Sequence, residues 1–297
     1  MSIFDSHLLL GRDDWLAANK PELAHRLGLD EIRTMFAEVA PDGRWRAAAC
    51  PFPSAPEQNY REENAAVLQC AAIEPRLLPV AAINPNDVES RAFLERDGGK
   101  FAGIIIWPIL CKVDLRRLAR DDAFWTIVKR LDLPVSIHVG TGEEPSYRDA
   151  IHANAYGPLD AIEVAEANPA IRFNLLHALR LSRSALQRAA CISNVWTDLS
   201  GYSSYGSWTE GGREIFPAKD PVVGPGAYGA LPKILADEFG LGDRILFGSS
   251  EPFCRWWGLT LKAEYAIYCD TAADERQDDR FSANANRFYA NWIQERA

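Results

Sequence analysis

Long hydrophobic runs are missing from this sequence. No apolar run approaches the roughly 20 residues that a membrane-spanning helix needs, and no secretory signal pattern opens the chain. The six cysteines are scattered and form no C-x-x-C pair, which favours reduced thiols over a disulfide framework. These absences predict a cytoplasmic protein that does not use a membrane as a partner.

An excess of positive charge is missing as well. Lys and Arg number 32 against 41 Asp and Glu, which gives a formal net charge of −9 at pH 7. Nucleic acids and anionic membrane surfaces attract proteins through basic patches. The charge balance therefore argues against both partners, and we expect the chain to bind a small-molecule substrate.

What the sequence does contain is a regular alternation of strand and helix patterns. Short apolar runs bounded by Pro, Gly or charge predict eight buried strands. The strands cover residues 2–8, 45–50, 78–83, 102–107, 134–139, 171–176, 195–199 and 245–249. Helical patterns cover residues 64–73, 85–96, 121–131, 152–168, 182–191, 230–239, 259–271 and 283–294. This alternation predicts an α/β fold, a (β/α)8 (TIM) barrel in a single domain over residues 1–297. A doubly wound open sheet is the alternative, but no Gly-rich phosphate loop follows the first strand.

Two predicted connections are longer than an ordinary strand-to-helix turn. One covers residues 50–61 after the second strand, and the other covers residues 201–228 after the seventh. Loops after strands form the active face of a barrel, and long loops in compact domains are usually lids or binding loops. The second loop is rich in aromatic residues, of which Tyr202 is predicted to contact substrate. A contact between two copies of the chain, as in a homodimer, is the alternative use of that loop.

Three of the five histidines stand at or near the ends of predicted strands. They are His7, His138 and His177. The C-terminal ends of barrel strands carry the active site in this fold class. Imidazoles have an ordinary pKa near 6.5, so they serve as general acids and bases at neutral pH. The pattern therefore predicts that the three histidines share one site.

Several segments, taken together and in order, resemble the amidohydrolase-2 type of the amidohydrolase superfamily. They are residues 4–7 (FDSH), 103–108 (GIIIWP), 133–138 (LPVSIH), 174–177 (NLLH), 194–201 (NVWTDLSG), 243–249 (DRILFGS) and 284–289 (NANRFY). The resemblance implies a (β/α)8 barrel and a hydrolase or decarboxylase, often with one divalent metal ion.

The resemblance also implies a metal-ligand set, which this sequence keeps only in part. Relatives carry His-x-His on the first strand, and here His7 is followed by Leu9 at the second position. The aspartate of the eighth strand falls on Ser250, with Glu251 next in the chain. A catalytic zinc takes about three protein ligands, usually His and carboxylate. We therefore expect no tightly bound metal. The alternative is a divalent metal such as zinc, held by the three histidines and Glu251.

Without a metal, the sequence predicts acid–base chemistry by histidine. His138 and His177 come from adjacent predicted strands, so we expect them to form the acid–base pair. His7 is then predicted to form a hydrogen bond or to position the substrate. Glu251 is predicted to orient an imidazole or to act as a base itself.

Further residues are predicted to contact the substrate. Asp198 alternates with apolar neighbours on the seventh strand, and Ser250 has a hydroxyl that can donate to an oxyanion. Arg180 follows the third histidine, where relatives usually have glycine, and its guanidinium suits a substrate carboxylate. Trp107 and Trp196 are predicted as walls of the pocket.

Three functions are compatible with these residues. The first is a metal-independent enzyme that acts by hydrolysis or elimination on a small organic substrate, for which a carboxylated compound, a lactone and an amide are the candidates. The second is a metal-dependent hydrolase or decarboxylase with a rearranged His/Glu site. The third is a non-catalytic descendant that binds a ligand or a partner through the same pocket.

Overall fold

The structure is a computed structural model that describes residues 2–12, 26–52, 60–140, 157–201, 209–210, 213–214, 221–223, 228–252, 259–270 and 277–294. Eight parallel strands form the barrel. They are β1 (Ile3–Arg12), β2 (Trp45–Pro51), β3 (Leu77–Ala82), β4 (Gly103–Ile106), β5 (Val135–Ile137), β6 (Phe173–Leu175), β7 (Val195–Asp198) and β8 (Ile245–Leu246). Each lies within or overlaps a predicted strand, so the predicted (β/α)8 fold class is confirmed.

The strands pair in sequence order, and the ends of the sheet meet. Pairing runs in parallel from β1 through β8. The Ser6 amide donates to the Phe247 carbonyl at 2.7 Å, and the Ser250 amide donates to the His7 carbonyl at 2.9 Å. These bonds join β1 to the segment around β8 and nearly close the barrel. All eight carboxyl ends therefore lie on one face.

Helices connect the strands and cover the barrel. They are α1 (Leu29–Val39), α2 (Arg61–Ile73), α3 (Val88–Asp97), α4 (Leu115–Leu118), α5 (Asp122–Arg130), α6 (Pro158–Ala167), α7 (Arg183–Ala190), α8 (Leu231–Asp237), α9 (Leu261–Asp270), α10 (Gln277–Phe288) and α11 (Ala290–Gln294). Short 3-10 turns cover Gly98–Lys100, His177–Leu181 and Tyr228–Ala230. Within the described ranges, no helix combines the length and apolarity needed to cross a membrane.

Side-chain caps fix where several helices begin. Asp87, Asp114 and Asp121 accept hydrogen bonds from backbone amides in the first turns of α3, α4 and α5. Ser182 does the same for α7, accepting from the Ala185 amide at 3.3 Å. These oxygens satisfy amides that have no partner within the helix. The cap at Ser182 also sets the end of the segment that follows β6.

Two short antiparallel pairings accompany the barrel strands, and the second of them forms a separate two-stranded sheet. Arg26–Leu27 pairs antiparallel with the end of β1, and Thr209–Glu210 forms a hairpin with Arg213–Glu214. β1 runs to Arg12, past its predicted end at residue 8. His7 therefore lies within the strand rather than at its end, beside an irregularity in the β1–β2 register between Asp5 and Leu8.

Candidate active site

The three predicted histidines come together at the carboxyl end of the barrel. The ring centroids of His138 and His177 are 4.8 Å apart, and those of His7 and His177 are 5.9 Å apart. The Trp107 ring lies 5.0 Å from that of His138 and 6.0 Å from that of His7. His7, His177 and Trp107 are buried, while His138 is partly exposed. The four rings form one aromatic cluster.

His177 begins an unusual segment of backbone. All five residues of the His177–Leu181 turn have positive φ, between 43° and 61°, and none of them is glycine. A left-handed conformation costs an L-residue about 1–2 kcal/mol, so glycine is the residue that normally occupies it. Strain of this kind is kept where it serves a site. No glycine marks this segment in the sequence, and the turn was not predicted.

The left-handed turn carries Arg180 into the barrel. Its side chain is buried, and Nε donates to the Val139 carbonyl just past β5. The guanidinium lies close enough to His138 and His177 for its charge to lower the pKa of both. A fixed positive charge therefore stands beside two imidazoles. The role of Arg180 as a carboxylate-binding group stays a prediction.

Asp198, at the end of β7, accepts four hydrogen bonds in this site. The donors are the hydroxyl of Ser200 at 2.5 Å, the Ser200 amide at 3.1 Å, the His177 amide at 3.0 Å and the Asn174 side chain at 3.0 Å. The carboxylate is fully buried. Asp198 thus lies in the site as predicted, but as a group that organises its neighbours.

Ser200 is a site residue that the sequence reasoning missed. Its hydroxyl lies 3.0 Å from Nδ1 of His177 and 3.3 Å from Nδ1 of His7. Its carbonyl oxygen lies 2.9 Å from Nδ1 of His177. The only signal was its place two residues after Asp198, within one of the segments that carried the resemblance.

These contacts involve the Nδ1 atoms of His7 and His177 and leave their Nε2 atoms available. A carbonyl oxygen only accepts hydrogen bonds, so Nδ1 of His177 carries a proton and Nε2 keeps its lone pair. Among the described residues, Nε2 of His177, Nε2 of His7 and the indole nitrogen of Trp107 are buried with no hydrogen-bond partner. Buried polar atoms without partners are rare. The acceptor Nε2 of His177, the Nε2 of His7 and the indole donor of Trp107 therefore lack a partner among the described residues and can bind a molecule in the site.

Burial sets the charge state of the histidines. It lowers the pKa of His138 and His177 well below the ordinary value of 6.5, and the neighbouring Arg180 and histidine charges lower both further. Burial also lowers the pKa of His7, although the charge of Asp198 opposes this. All three imidazoles are therefore neutral at pH 7. Each neutral imidazole can accept a proton, but none of them carries the additional proton of an imidazolium that a general acid would donate.

A second buried carboxyl group, that of Asp5, links β1 to the segment after β8 beneath the histidines. It accepts hydrogen bonds from the His7 amide at 3.0 Å and from the hydroxyl of Ser249 at 2.5 Å. Burial raises the pKa of Asp5 to about 6, and the charge of Glu251 raises it too, against the lowering effect of these hydrogen bonds. Asp5 was not predicted as a site residue, because its partner Ser249 is distant in sequence.

Ser250 and Glu251, which follow β8, face different surroundings in the structure. The hydroxyl of Ser250 lies 3.4 Å from Nδ1 of His7, so Ser250 joins the cluster. Glu251 is buried beside Asp5 and lines a cavity of about 490 Å³ with residues of α1 and α9 such as Met35 and Leu261. The predicted role of Glu251 as a base or orienting group stays a prediction.

Two predicted pocket residues lie elsewhere or outside the described residues. The Trp196 ring packs against Phe288 of α10, with centroids 5.5 Å apart. The structure therefore packs Trp196 of β7 against α10 rather than in the aromatic cluster. Tyr202 lies outside the described residues, as do most residues of the two long loops.

The site lacks two of the metal ligands that the resemblance implies. Leu9 is a buried apolar residue, and Ser250 offers only a hydroxyl where the resemblance implies a carboxylate. The nearby carboxylate of Asp198 already accepts four hydrogen bonds. In the part of the chain that the structure describes, no group of three or more His, Cys, Asp or Glu residues is arranged to hold a metal ion.

Comparison with protein families gives one match. The family model described as Amidohydrolase matches residues 10–290. The match begins after His7, so the first segment of the resemblance lies outside it. No curated protein matches the sequence.

Solved structures of similar fold cover nearly the whole chain. Amidohydrolase 2 from Bifidobacterium longum subsp. infantis is 17% identical, with a TM-score of 0.64 over 98% of this chain and 99% of that one. A probable 2-pyrone-4,6-dicarboxylic acid hydrolase from Acinetobacter baumannii is 13% identical, with a TM-score of 0.66 over 98% and 100%. The 4-oxalomesaconate hydratase of Rhodopseudomonas palustris is 14% identical, with a TM-score of 0.56 over 98% and 97%. At these identities the likeness shows the barrel fold.

Proposed function

The chain belongs to the amidohydrolase family, and from that premise we propose that it hydrolyses a small carboxylated lactone, ester or amide by histidine acid–base catalysis, without a bound metal. One observation carries the proposal. Two buried imidazole nitrogens and one indole N–H lack partners among the described residues, in a site that also holds a buried guanidinium. Lone pairs, a neutral donor and a fixed positive charge are what such a reaction needs.

The reaction starts with attack by water. His177 takes a proton from the water through Nε2 while the water oxygen forms a bond to the substrate carbonyl carbon. The indole N–H of Trp107 donates to the carbonyl oxygen as it gains negative charge, which is where a prearranged donor stabilises the transition state most. The binding of a substrate carboxylate by Arg180 fixes the position of the carbonyl.

The second step returns the same proton. The bond between the carbonyl carbon and the leaving oxygen or nitrogen breaks, and the leaving atom takes up a proton. The resting site has no protonated imidazole, because burial and Arg180 hold the pKa of His138 and His177 low. The proton delivered must therefore be the one taken from water. We assign its transfer to His138, which takes the proton from His177 and gives it to the leaving atom, so that both imidazoles end neutral; the two ring centroids lie 4.8 Å apart.

The names of two similar proteins support the substrate class. The 2-pyrone-4,6-dicarboxylic acid hydrolase and the 4-oxalomesaconate hydratase are named for carboxylated compounds. We extend this class to the present chain because Arg180 places a buried positive charge beside the histidines. A site with one guanidinium and neutral imidazoles favours an anion over a neutral or cationic molecule.

A substrate panel tests the proposal. Small lactones, esters and amides that carry one or two carboxylates are each paired with the uncharged methyl ester, and acid release is followed with a pH indicator. We expect turnover of carboxylated members and a loss of about 10²- to 10⁴-fold for His177→Gln. Preference for the uncharged partners, or unchanged activity of His177→Gln, would contradict the proposal.

Elimination is the second candidate, because the free Nε2 lone pair of His177 also suits removal of a proton from carbon. Reaction in ¹⁸O-labelled water separates the two. Hydrolysis places one labelled oxygen in the new carboxylate, whereas elimination from the substrate places none.

A further inference from the structure

We propose that Ser200 is a positioning residue that, together with Asp198, holds His7 as the tautomer with its proton on Nδ1 and its lone pair on Nε2. The use of that lone pair as a base rests on the proposed function. The tautomer itself is a property of the resting protein, so it can be tested without a substrate.

The direction of the hydrogen bonds follows from what each group can do. Asp198 carries a carboxylate, which only accepts, and it lies 2.5 Å from the hydroxyl oxygen of Ser200. Ser200 must therefore donate its single proton to Asp198. The hydroxyl oxygen is left as an acceptor, 3.3 Å from Nδ1 of His7. Nδ1 of His7 is then the donor, and the Asp198 carboxylate 4.0 Å away favours a proton there.

Ser200 contacts His177 through two atoms and His7 through one. Nδ1 of His177 lies 3.0 Å from the Ser200 hydroxyl and 2.9 Å from the Ser200 backbone carbonyl, and the contact to the carbonyl does not depend on the side chain. His7 depends on the hydroxyl. Removing the hydroxyl should therefore release the tautomer of His7 and leave that of His177 in place. A role in packing alone would not separate the two rings in this way.

The competing partner of His7 is Ser250. Its hydroxyl lies 3.4 Å from Nδ1 of His7, and if it donated, the proton of the ring would move to Nε2. The Nε2 atom would then be a donor and no longer a base. The contact to Ser200 is shorter and is backed by the charge of Asp198, so we infer that it prevails.

Nuclear magnetic resonance of the imidazole nitrogens tests this directly. The chain has five histidines, so ¹⁵N-histidine labelling gives few signals, and His7→Gln and His177→Gln assign two of them. Long-range ¹⁵N–¹H spectra at pH 8, where the rings are neutral, report which nitrogen carries the proton. We expect the wild-type protein to show protonated Nδ1 and unprotonated Nε2 for both His7 and His177.

Substitutions at Ser200 sharpen the test. Ser200→Ala should shift His7 to the Nε2-protonated form or to a mixture, while His177 is unchanged, and Ser200→Thr should keep the wild-type pattern. The matched control is Ser282→Ala, which removes a hydroxyl that donates to the Ser2 carbonyl at the opposite end of β1, and it should change neither ring. With a substrate in hand, Ser200→Ala should lower kcat by roughly 10-fold or more, with a smaller change in KM.

Two results would overturn the inference. One is a wild-type His7 with its proton on Nε2, which can be observed even if Ser200→Ala does not fold. The other is a Ser200→Ala spectrum in which His7 keeps the wild-type tautomer. A protein with the expected tautomers that hydrolyses nothing would refute the proposed function and leave this inference standing.

Discussion

Replacing Gly248 by alanine should disturb the site through packing alone. A Cβ atom at Gly248 would lie 3.0 Å from Cβ of His7, 3.2 Å from Cβ of Ser200 and 3.3 Å from the hydroxyl of Ser6. Two of these are Cβ atoms, which cannot swing away without moving the backbone. Such overpacking costs about 1–3 kcal/mol, and we expect about 2 kcal/mol or more here because three neighbours resist at once.

Urea unfolding of Gly248→Ala measures this cost. The matched control is Gly99→Ala, since a Cβ at Gly99 would meet nothing within 4 Å, and its free energy of unfolding should change by less than about 0.5 kcal/mol. Gly248→Ala should also broaden or shift the imidazole signals of His7. If Gly248→Ala proved as stable as Gly99→Ala, this would refute the close approach of β1 to the segments that follow β7 and β8.

Three other predictions follow from the site. The folded protein keeps its buried histidines neutral, whereas the unfolded chain protonates them below about pH 6.5. The free energy of unfolding should therefore decrease as the pH falls. Asp5 has the opposite effect, because its pKa is raised to about 6 in the folded protein. Urea unfolding at pH 7.5 and 5.5 should differ by about 2 kcal/mol in favour of pH 7.5, and equal stability would refute the burial of the histidines. Ala178→Gly should raise the free energy of unfolding by up to about 1 kcal/mol, since φ is 43° at Ala178. The control Ala161→Gly, in α6, should lower the free energy of unfolding by about 1 kcal/mol. Equal losses of stability in the two variants would rule out the left-handed turn. Arg180→Gln should lower kcat/KM for carboxylated substrates by about 10- to 100-fold and leave kcat/KM for uncharged esters unchanged. The control Arg183→Gln, at an exposed arginine, should leave kcat/KM unchanged for both kinds of substrate.

The barrel could be predicted because its strands are buried on both faces. Such strands appear as short, continuous apolar runs, and β3 and β4 are buried at every residue. Helix α1 was not predicted. It begins after Gly28, which has no side-chain cap, although Ile32, Met35 and Phe36 lie on one buried face at helical spacing.

The sequence predicted that the three histidines share one site, but it did not predict the residues that form hydrogen bonds with them. Asp5 and Ser249 are 244 residues apart, and His7 and Ser200 are 193 residues apart. No local pattern reveals a hydrogen bond between such distant residues. The left-handed turn at His177–Leu181 is imposed by its surroundings against local preference, so the sequence carries no glycine to mark it. The sequence therefore identified histidines that the structure brings together, but not the groups that form hydrogen bonds with them.

The central claim is that the protein's own histidines, and no metal ion, carry the reaction. The most direct test is the rate of the chelator-treated, metal-stripped enzyme on its best carboxylated substrate, with metal content measured by mass spectrometry before and after zinc is added. We predict full activity in the stripped enzyme and no rise with zinc. Activity that disappears on stripping and returns with about one zinc per chain would contradict the account.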